Sequence, residues 1–242
     1  HTPGVTAEGS TLSGTSHHVL GADTADTLLV VAATGETVGL FELPADADGV
    51  TVTRVPVMDP TRTLCRVRFD GASATAIDTR TSFLSRLRGA AWAALSAEQV
   101  GLARAALDAT VQYTQERKQF GRVIGSFQAL KHRMADMYVR VETARSLSYS
   151  AAALVAESLT ADADGTGPDE AAYAAEIEAA AAKVYCSEAA QWITGEAIQL
   201  HGGVAITWEY DTHLFFKRAH GTAQLVGQPH QVLSALEPAA GL

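Results

Sequence analysis

The stretch VGLARAALDATVQYTQERKQFG, residues 100–121, shows where a long helix ends. Its apolar residues recur at intervals of three and four, as they do along one face of an α-helix. Two cations and a glycine follow in Arg117-Lys118-Gln119-Phe120-Gly121, and both features suit a helix C-terminus. The same pattern extends back to Phe83, so it predicts a helix from Phe83 to Glu116.

The Arg117–Gly121 segment has two interpretations. It can be an ordinary helix end, with cations near the last carbonyls and a glycine at the cap. Alternatively, the planar guanidinium of Arg117 can donate two parallel hydrogen bonds to a phosphate. Taken alone, the segment favours the ordinary interpretation.

The rest of the second half of the chain also has helical patterns. The predicted segments are about Phe127–Leu159, about Pro168–Leu200, about Asp211–Ala219 and a last short helix from Pro229. The acidic, glycine-rich stretch Thr160–Pro168 predicts a loop, and Gly202-Gly203 ends the third helix. Residues 79–242 are therefore predicted to form an up-down four-helix bundle.

The first third of the chain has the short β-rich runs of a sheet. The predicted strands are Thr27–Val31, Val38–Leu43, Val50–Val55 and Leu64–Phe69. In the last of these, apolar residues alternate with Arg66 and Arg68, which indicates a strand with one exposed face. Residues 1–78 are predicted to form an antiparallel β-domain, either a meander or a small barrel, so the fold class is α+β.

Composition excludes several classes of protein. The formal net charge of −9 disfavours nucleic acid as a partner. No apolar run approaches the length of a transmembrane helix, and no secretory signal is visible. Cys65 and Cys186 lack the spacing of a metal site, which predicts no metal and favours the reducing cytoplasm.

Two further segments are ambiguous. Gln199-Leu200-His201-Gly202-Gly203 can be a plain helix cap, or its glycines can expose backbone N–H groups to an anion. Thr207–Asp211 leads into the fourth helix, and its Trp208 and Tyr210 are interpreted as core residues.

Several motifs follow one another in a specific order. They are Leu12-Ser13-Gly14, Val19-x-Gly21-Ala22-x-x-Ala25-Asp26, Arg117-Lys118-x-Phe120-Gly121, Gly125-Ser126-Phe127-Gln128, Gln199-x-His201-Gly202-Gly203 and Gly221-Thr222-x-Gln224. In this order they resemble the middle β-domain and C-terminal part of the acyl-CoA dehydrogenase family, over roughly residues 5–236.

The resemblance implies a flavin fold in which FAD lies between the β-domain and the bundle, near a subunit interface. The family removes the α-proton of an acyl-CoA, passes the β-hydride to flavin N5 and delivers electrons to an electron-transfer flavoprotein. Eight positions carry over as FAD contacts: Arg117, Phe120, Gln128, Gln199, Gly202, Gly203, Thr222 and Gln224. Arg117 pairs with the pyrophosphate, the next five positions contact the ADP part, and the last two touch FAD from the other side.

The chain departs from the family pattern at the general base. Many members have a glutamate immediately before the Gly-Thr, where this chain has His220. Other members have it on the first bundle helix, at a place that aligns with about Ala91. A neutral imidazole can accept a proton, but no catalytic residue is assigned. Glu98 is a more distant candidate, and Glu116 is expected on the helix surface.

A second departure is at the front, because the family's flavin-ring loop and N-terminal helical domain do not precede residue 5. The sequence that starts at His1 is therefore expected to begin in mid-domain. Three explanations stay open: the chain was truncated, its front is disordered, or the subunit is naturally short.

The segment Thr207–Leu214 is similar to an actinobacterial branch of the family that includes enzymes of two different subunits. One subunit of such enzymes lacks the base, and some act on CoA thioesters of steroid side chains. The resemblance therefore implies the base-less subunit of a heteromer that needs a second acyl-CoA dehydrogenase chain. Two alternatives stay open: a homomeric flavin monooxygenase using His220, and a structural partner that has lost FAD.

Overall fold

The structure is a computed structural model that describes residues 3–80, 83–161 and 169–236. The chain divides into two compact units, His1–Leu84 and Ser85–Leu242. Part of the predicted Thr160–Pro168 loop, with Pro168 itself, lies outside the described residues.

The first unit is a seven-stranded sheet. Its strands are β1 (Val5–Glu8), β2 (Thr11–Leu20), β3 (Thr27–Thr34), β4 (Thr37–Pro44), β5 (Val50–Val55), β6 (Leu64–Ser73) and β7 (Thr75–Asp78). Their order across the sheet is β5-β6-β2-β1-β3-β4-β7.

This order corrects the predicted antiparallel meander or small barrel. β1 pairs with β3 in parallel, through Thr6 and Ala33, so the sheet is mixed. Sheet neighbours are often distant in sequence, and β5 and β7 are its edge strands within the described residues. The four predicted strands are confirmed, but β1, β2 and β7 were missed.

Alternation of side chains builds the core of the sheet. In β6, the side chains of Cys65, Val67 and Phe69 are buried while Arg66 and Arg68 are exposed, as predicted. In β2 only Leu12 is buried, and His18, with a φ of 58°, lies at an irregularity between Ser16 and Val19.

One carboxylate ties the β2–β3 connection to the neighbouring strands. Asp23 accepts hydrogen bonds from the Thr63 hydroxyl at 2.6 Å and from Arg54 Nε at 2.7 Å. The Thr63 bond, then the Arg54 bond, lowers the pKa of Asp23 to about 2.

The second unit is helical. It consists of α1 (Phe83–Glu116), α2 (Gln128–Ala161), α3 (Asp169–His201), α4 (Thr212–Gln224) and α5 (Pro229–Leu236). The predicted helices are confirmed within a few residues, except for the end of α4. None of the described helices combines the length and apolar character that crossing a bilayer requires.

Alanine lets the long helices approach closely. Ala103, Ala106, Ala144, Ala190 and Ala197 line a buried cluster around Met137 and Ile193. Met137 and Val141 of the predicted α2 stripe are buried there. Small side chains and a few large ones thus pack together in this cluster.

Candidate functional site

The segment after α1 is a small β-hairpin that holds an aromatic side chain in solvent. β8 (Lys118–Gln119) pairs with β9 (Arg122–Val123), and Phe120 and Gly121 form the turn. Both turn residues have positive φ, 53° and 78° respectively, as a type I′ turn requires. Phe120 is 90% exposed.

The conformation of Phe120 is strained. A bulky residue rarely adopts positive φ because its Cβ crowds the backbone, and such strain concentrates at functional sites. The Phe120 ring meets Phe127 edge-on at a centroid distance of 6.2 Å, and the Arg122 guanidinium lies 4.0 Å from the Phe127 centroid. The hairpin therefore presents an aromatic surface close to several cations, including the exposed Arg117.

A ring stack joins the ends of α1 and α3. The rings of Tyr113 and His201 are 4.3 Å apart and tilted by 21°, and the Tyr113 hydroxyl donates to the His201 carbonyl at 3.2 Å. His201 Nδ1 lies 2.8 Å from the Ala197 carbonyl, and burial lowers the pKa of His201 below its ordinary value. Because the Arg117 N–H donates to the Tyr113 carbonyl at 2.9 Å, Arg117 lies one turn beyond this stack.

Gly202 opens the backbone where α3 ends. Its φ is 68°, and a 3₁₀ turn, Gly202–Ile206, follows. Within 4 Å of a Cβ placed on Gly202 or Gly203 there is no atom outside the chain neighbours. Both glycines are exposed, so an anion can approach their backbone closely.

Six predicted cofactor contacts lie in these two connected segments, 117–128 and 199–206, here called the open end. All six are exposed: Arg117, Phe120, Gln128, Gln199, Gly202 and Gly203. The Gln128 amide lies 3.1 Å from the His132 ring. A guanidinium and open glycines suit a pyrophosphate, and an exposed aromatic suits a purine. The donor set fits the ADP part of a dinucleotide, although its contact with FAD stays a prediction.

The structure corrects the predicted end of α4. The helix runs to Gln224, so His220, Gly221 and Thr222 lie inside it and not after it. The chain turns instead at Val226 and Gly227, with φ of 54° and 101°. A glycine costs a helix only about 1 kcal/mol, which tertiary packing overrides here.

The two predicted contacts on α4 differ in access. Thr222 is fully buried, and its hydroxyl donates to Glu98 Oε1 at 2.8 Å. Gln224 is exposed. The Thr222 side chain therefore serves helix packing, whereas Gln224 is open to a ligand; the FAD contact of each stays a prediction.

Comparison with known proteins identifies the family. Residues 84–229 match the model of the acyl-CoA dehydrogenase C-terminal domain. The chain belongs to the acyl-CoA dehydrogenase family. It is 42% identical to acyl-CoA dehydrogenase IpdE2 of Mycolicibacterium smegmatis over 90% of this chain and 60% of that protein. The chain thus spans about 60% of the length of that curated relative.

Two solved structures extend the comparison. A variant of the Tcur3481–Tcur3483 steroid ACAD matches with a TM-score of 0.84 and 29% identity, over 99% of this chain and 63% of that one. The ChsE4-ChsE5 complex from Mycobacterium tuberculosis matches with a TM-score of 0.83 and 27% identity, over 100% and 63%.

This acyl-CoA dehydrogenase chain has no carboxylate at the expected base positions. Ala91 has no acceptor, and His220 precedes Gly221 inside α4. The glycine that does form a turn, Gly227, follows Val226.

The His220 ring is packed against its own helix and α3. Its Nδ1 lies 3.3 Å from the Gln191 amide, and its ring is 4.2 Å from that of Phe216. Burial lowers the pKa of His220, which favours the neutral imidazole.

Glu98 is engaged by two partners from α4. Its Oε1 accepts from Arg218 Nε at 2.9 Å and from the Thr222 hydroxyl at 2.8 Å. These bonds make Glu98 one partner of an interhelical ion pair.

The sequence interpretation missed the polar group beside this pair. Lys183 is fully buried, and its Nζ donates to Ser187 Oγ at 3.0 Å and to the carbonyls of Thr222 and Ala223, both at 3.1 Å. Gln99, also fully buried, donates to Ser187 Oγ at 2.9 Å. Burial lowers the pKa of Lys183 to about 8. The sequence did contain a signal for this group, because Lys183 interrupts an alanine-rich face of α3.

These residues are here called the buried network: Glu98, Gln99, Lys183, Ser187, Arg218 and Thr222. The network fixes the last turn of α4 against α1 and α3. The Trp92 Nε1 bond to the Val226 carbonyl, at 2.8 Å, fixes the turn that follows.

Proposed function

We propose that this chain is a subunit of an FAD-dependent acyl-CoA dehydrogenase that introduces the α,β double bond into a CoA thioester. Its substrate class is the CoA ester of a steroid side chain or degradation product. The observation that carries the proposal is similarity to IpdE2 over 90% of the chain, together with the fold match to a steroid ACAD at a TM-score of 0.84.

The open end supplies this chain's part of the cofactor site. Arg117 would pair with the pyrophosphate of FAD, Gly202 and Gly203 would offer backbone N–H groups, and Phe120 would stack near the adenine. When bound, FAD accepts the β-hydride of the substrate. This chain's own contribution is to hold and orient the ADP part, and electrons then leave to an electron-transfer flavoprotein.

The general base would come from a second acyl-CoA dehydrogenase subunit. Ala91 and His220 provide no carboxylate at the candidate positions, and Glu98 is bound by Arg218. The ChsE4-ChsE5 complex is a structural relative made of two chains. A heteromer explains how this chain keeps its cofactor contacts without a base of its own.

Co-expression with a second acyl-CoA dehydrogenase subunit, sought first among the products of the neighbouring genes, tests the proposal. We expect flavin absorbance and acyl-CoA oxidation only in the complex, with steroid CoA thioesters preferred over straight-chain ones. If this chain alone is yellow and active on acyl-CoA, the base-less role is wrong. Product formation that requires oxygen and reduced flavin would instead support the monooxygenase alternative.

A Glu98→Gln variant of the complex separates two possible roles of this carboxylate, that of a general base and that of an interhelical ion-pair partner. Loss of a general base lowers the rate by about 10²- to 10⁴-fold. We expect less than a tenfold change, because Glu98 serves the packing of α4. His220→Gln is the matched variant, and a hundredfold loss in either would locate the base in this chain.

A further inference from the structure

The end of α3, the 3₁₀ turn and α4 enclose a cavity that the cofactor proposal does not use. Its volume is about 310 Å³, and its walls are Ile198, Ile206, Trp208, His213, Phe216 and Lys217. Apolar and aromatic groups form most of the surface. A cavity of this size accepts one large side chain or a small ring system.

Two walls of the cavity are large apolar residues that stand in solvent. Trp208 is 78% exposed and Ile206 is 73% exposed. The interpretation of Trp208 and Tyr210 as core residues was therefore wrong, since Tyr210 is also 37% exposed. Contiguous exposed apolar side chains beside a cavity mark an interaction site.

Two side chains of α4 lie against the Trp208 indole. The His213 ring meets it edge-on at 4.7 Å, and the Lys217 ammonium lies 5.4 Å from its centroid. A tryptophan beside a pocket is a frequent centre of a protein interface.

Lys217 gives the cavity a charge preference. Across the described ranges no salt bridge holds its ammonium, which lies 5.4 Å from the centroid of the Trp208 ring. An occupant that places an acidic group beside an apolar one satisfies both the ammonium and the walls. The formal net charge of −9 opposes association of two identical copies.

We infer that this cavity receives the second acyl-CoA dehydrogenase subunit, through an apolar side chain flanked by a carboxylate. The inference rests on the proposed function and assigns the contact surface. Protruding walls gain more burial against a broad protein surface than against a small ligand. Ile198 adjoins Gln199 in sequence and Ile206 is the last residue of the open end, so a subunit seated here borders the cofactor contacts.

Binding of the two purified subunits, measured by biolayer interferometry with FAD present, tests this surface. Trp208→Ala is expected to weaken the complex at least tenfold, as for an interface hot spot. Lys217→Ala is expected to weaken it less and to reduce its dependence on salt. Tyr149→Ala and Lys131→Ala are matched controls on α2, where Tyr149 is 70% exposed; both should stay within twofold of wild type. Circular dichroism checks that each variant is folded.

The outcomes separate this inference from the function. If the wild-type subunits associate and Trp208→Ala binds equally well, the surface is wrong and the heteromer stands. Equal weakening by Trp208→Ala and Tyr149→Ala also overturns the assignment. If Trp208→Ala changes only self-association of this chain, or only binding of a small amphiphile, the occupant is not the second subunit. Absence of any complex between wild-type subunits overturns the proposed function itself.

Discussion

The two polar regions of the helical unit differ in how their hydrogen-bonding groups are used. In the buried network, Lys183 gives all three of its N–H bonds to protein acceptors, and Glu98 is held by Arg218 and Thr222. In the open end, the cation, amides and glycine backbone face solvent, and Phe120 holds a strained backbone. Groups that are satisfied within the chain fix its helices, whereas exposed groups on a rigid frame can bind a ligand.

The comparison predicts that the buried network contributes most to stability. Lys183→Ala removes three donors and leaves a cavity, so we expect the free energy of unfolding to fall by about 3 kcal/mol or more. Urea unfolding of the variant measures this loss. Lys131→Ala, on the exposed side of α2, should change stability by under about 0.5 kcal/mol. Similar losses of unfolding free energy in Lys183→Ala and Lys131→Ala would contradict the prediction that the buried network contributes most to stability.

Within the open end, Arg117 is predicted to act on the cofactor and not on the fold. Arg117→Gln in the assembled enzyme should weaken FAD binding by about 1.5–3 kcal/mol, the range for hydrogen bonds to charged groups. Flavin fluorescence titration gives the Kd, and unfolding should be nearly unchanged. Arg145→Gln is the control, since its side chain is 51% exposed on α2. An unchanged Kd for Arg117→Gln would remove the pyrophosphate role.

Replacing Phe120 with asparagine is predicted to change fold stability and FAD binding in opposite directions. Asparagine tolerates positive φ better than phenylalanine, so Phe120→Asn should stabilise the fold by about 1 kcal/mol while weakening FAD binding. Phe120→Leu keeps the strain and loses the ring, so it should weaken FAD binding without stabilising. Thermal unfolding and flavin titration of both variants separate the contributions. Stronger FAD binding by Phe120→Asn would exclude the adenine contact.

The smallest predicted effect is a pH dependence of stability. The folded pKa of Lys183, about 8, lies below its ordinary value of 10.5. Between these values the unfolded chain binds a proton that the folded chain has released, so this group's contribution to stability rises with pH. The stability difference between wild type and Lys183→Ala should therefore grow by about 1 kcal/mol from pH 7.5 to pH 9. Burial raises the pKa of the neighbouring Cys186 to about 12, and this group acts in the opposite direction above pH 9. A difference that shrinks with pH would exclude the buried ammonium.

Long periodic segments of the fold could be predicted from sequence. The alanine-rich helices and the alternating strand β6 carry their own pattern, so their existence and limits followed from residue spacing. β2 escaped prediction because Leu12 alone is buried among its ten residues. α4 was ended too early because Gly221 resembles a helix stop, whereas packing against Glu98 and Lys183 continues the helix.

The candidate site likewise has a part that could be predicted from sequence and a part that could not. The exposed motifs of the open end lie in two short segments, and their order along the chain, which resembles a known family, drew attention to them. The buried network joins residues 39 and 40 positions apart, from Lys183 to Thr222 and Ala223. Such pairings arise only in the folded chain. The exposure of Trp208 is likewise a tertiary property, which its apolar character concealed.

The three tryptophans give this chain its own optical reporters. Trp92 is 5% exposed and is bonded to the Val226 carbonyl, Trp192 lies beneath the Arg140 guanidinium at 4.3 Å, and Trp208 is 78% exposed. Indole emission shifts to longer wavelength in water, and collisional quenchers such as iodide reach an exposed ring most readily. Emission that iodide quenches strongly therefore comes mainly from Trp208, whereas the emission that resists iodide most comes from Trp92 and follows the turn after α4; the half-buried Trp192 lies between these extremes. One unlabelled chain can thus report separately on the covering of its cavity and on the loosening of its interior.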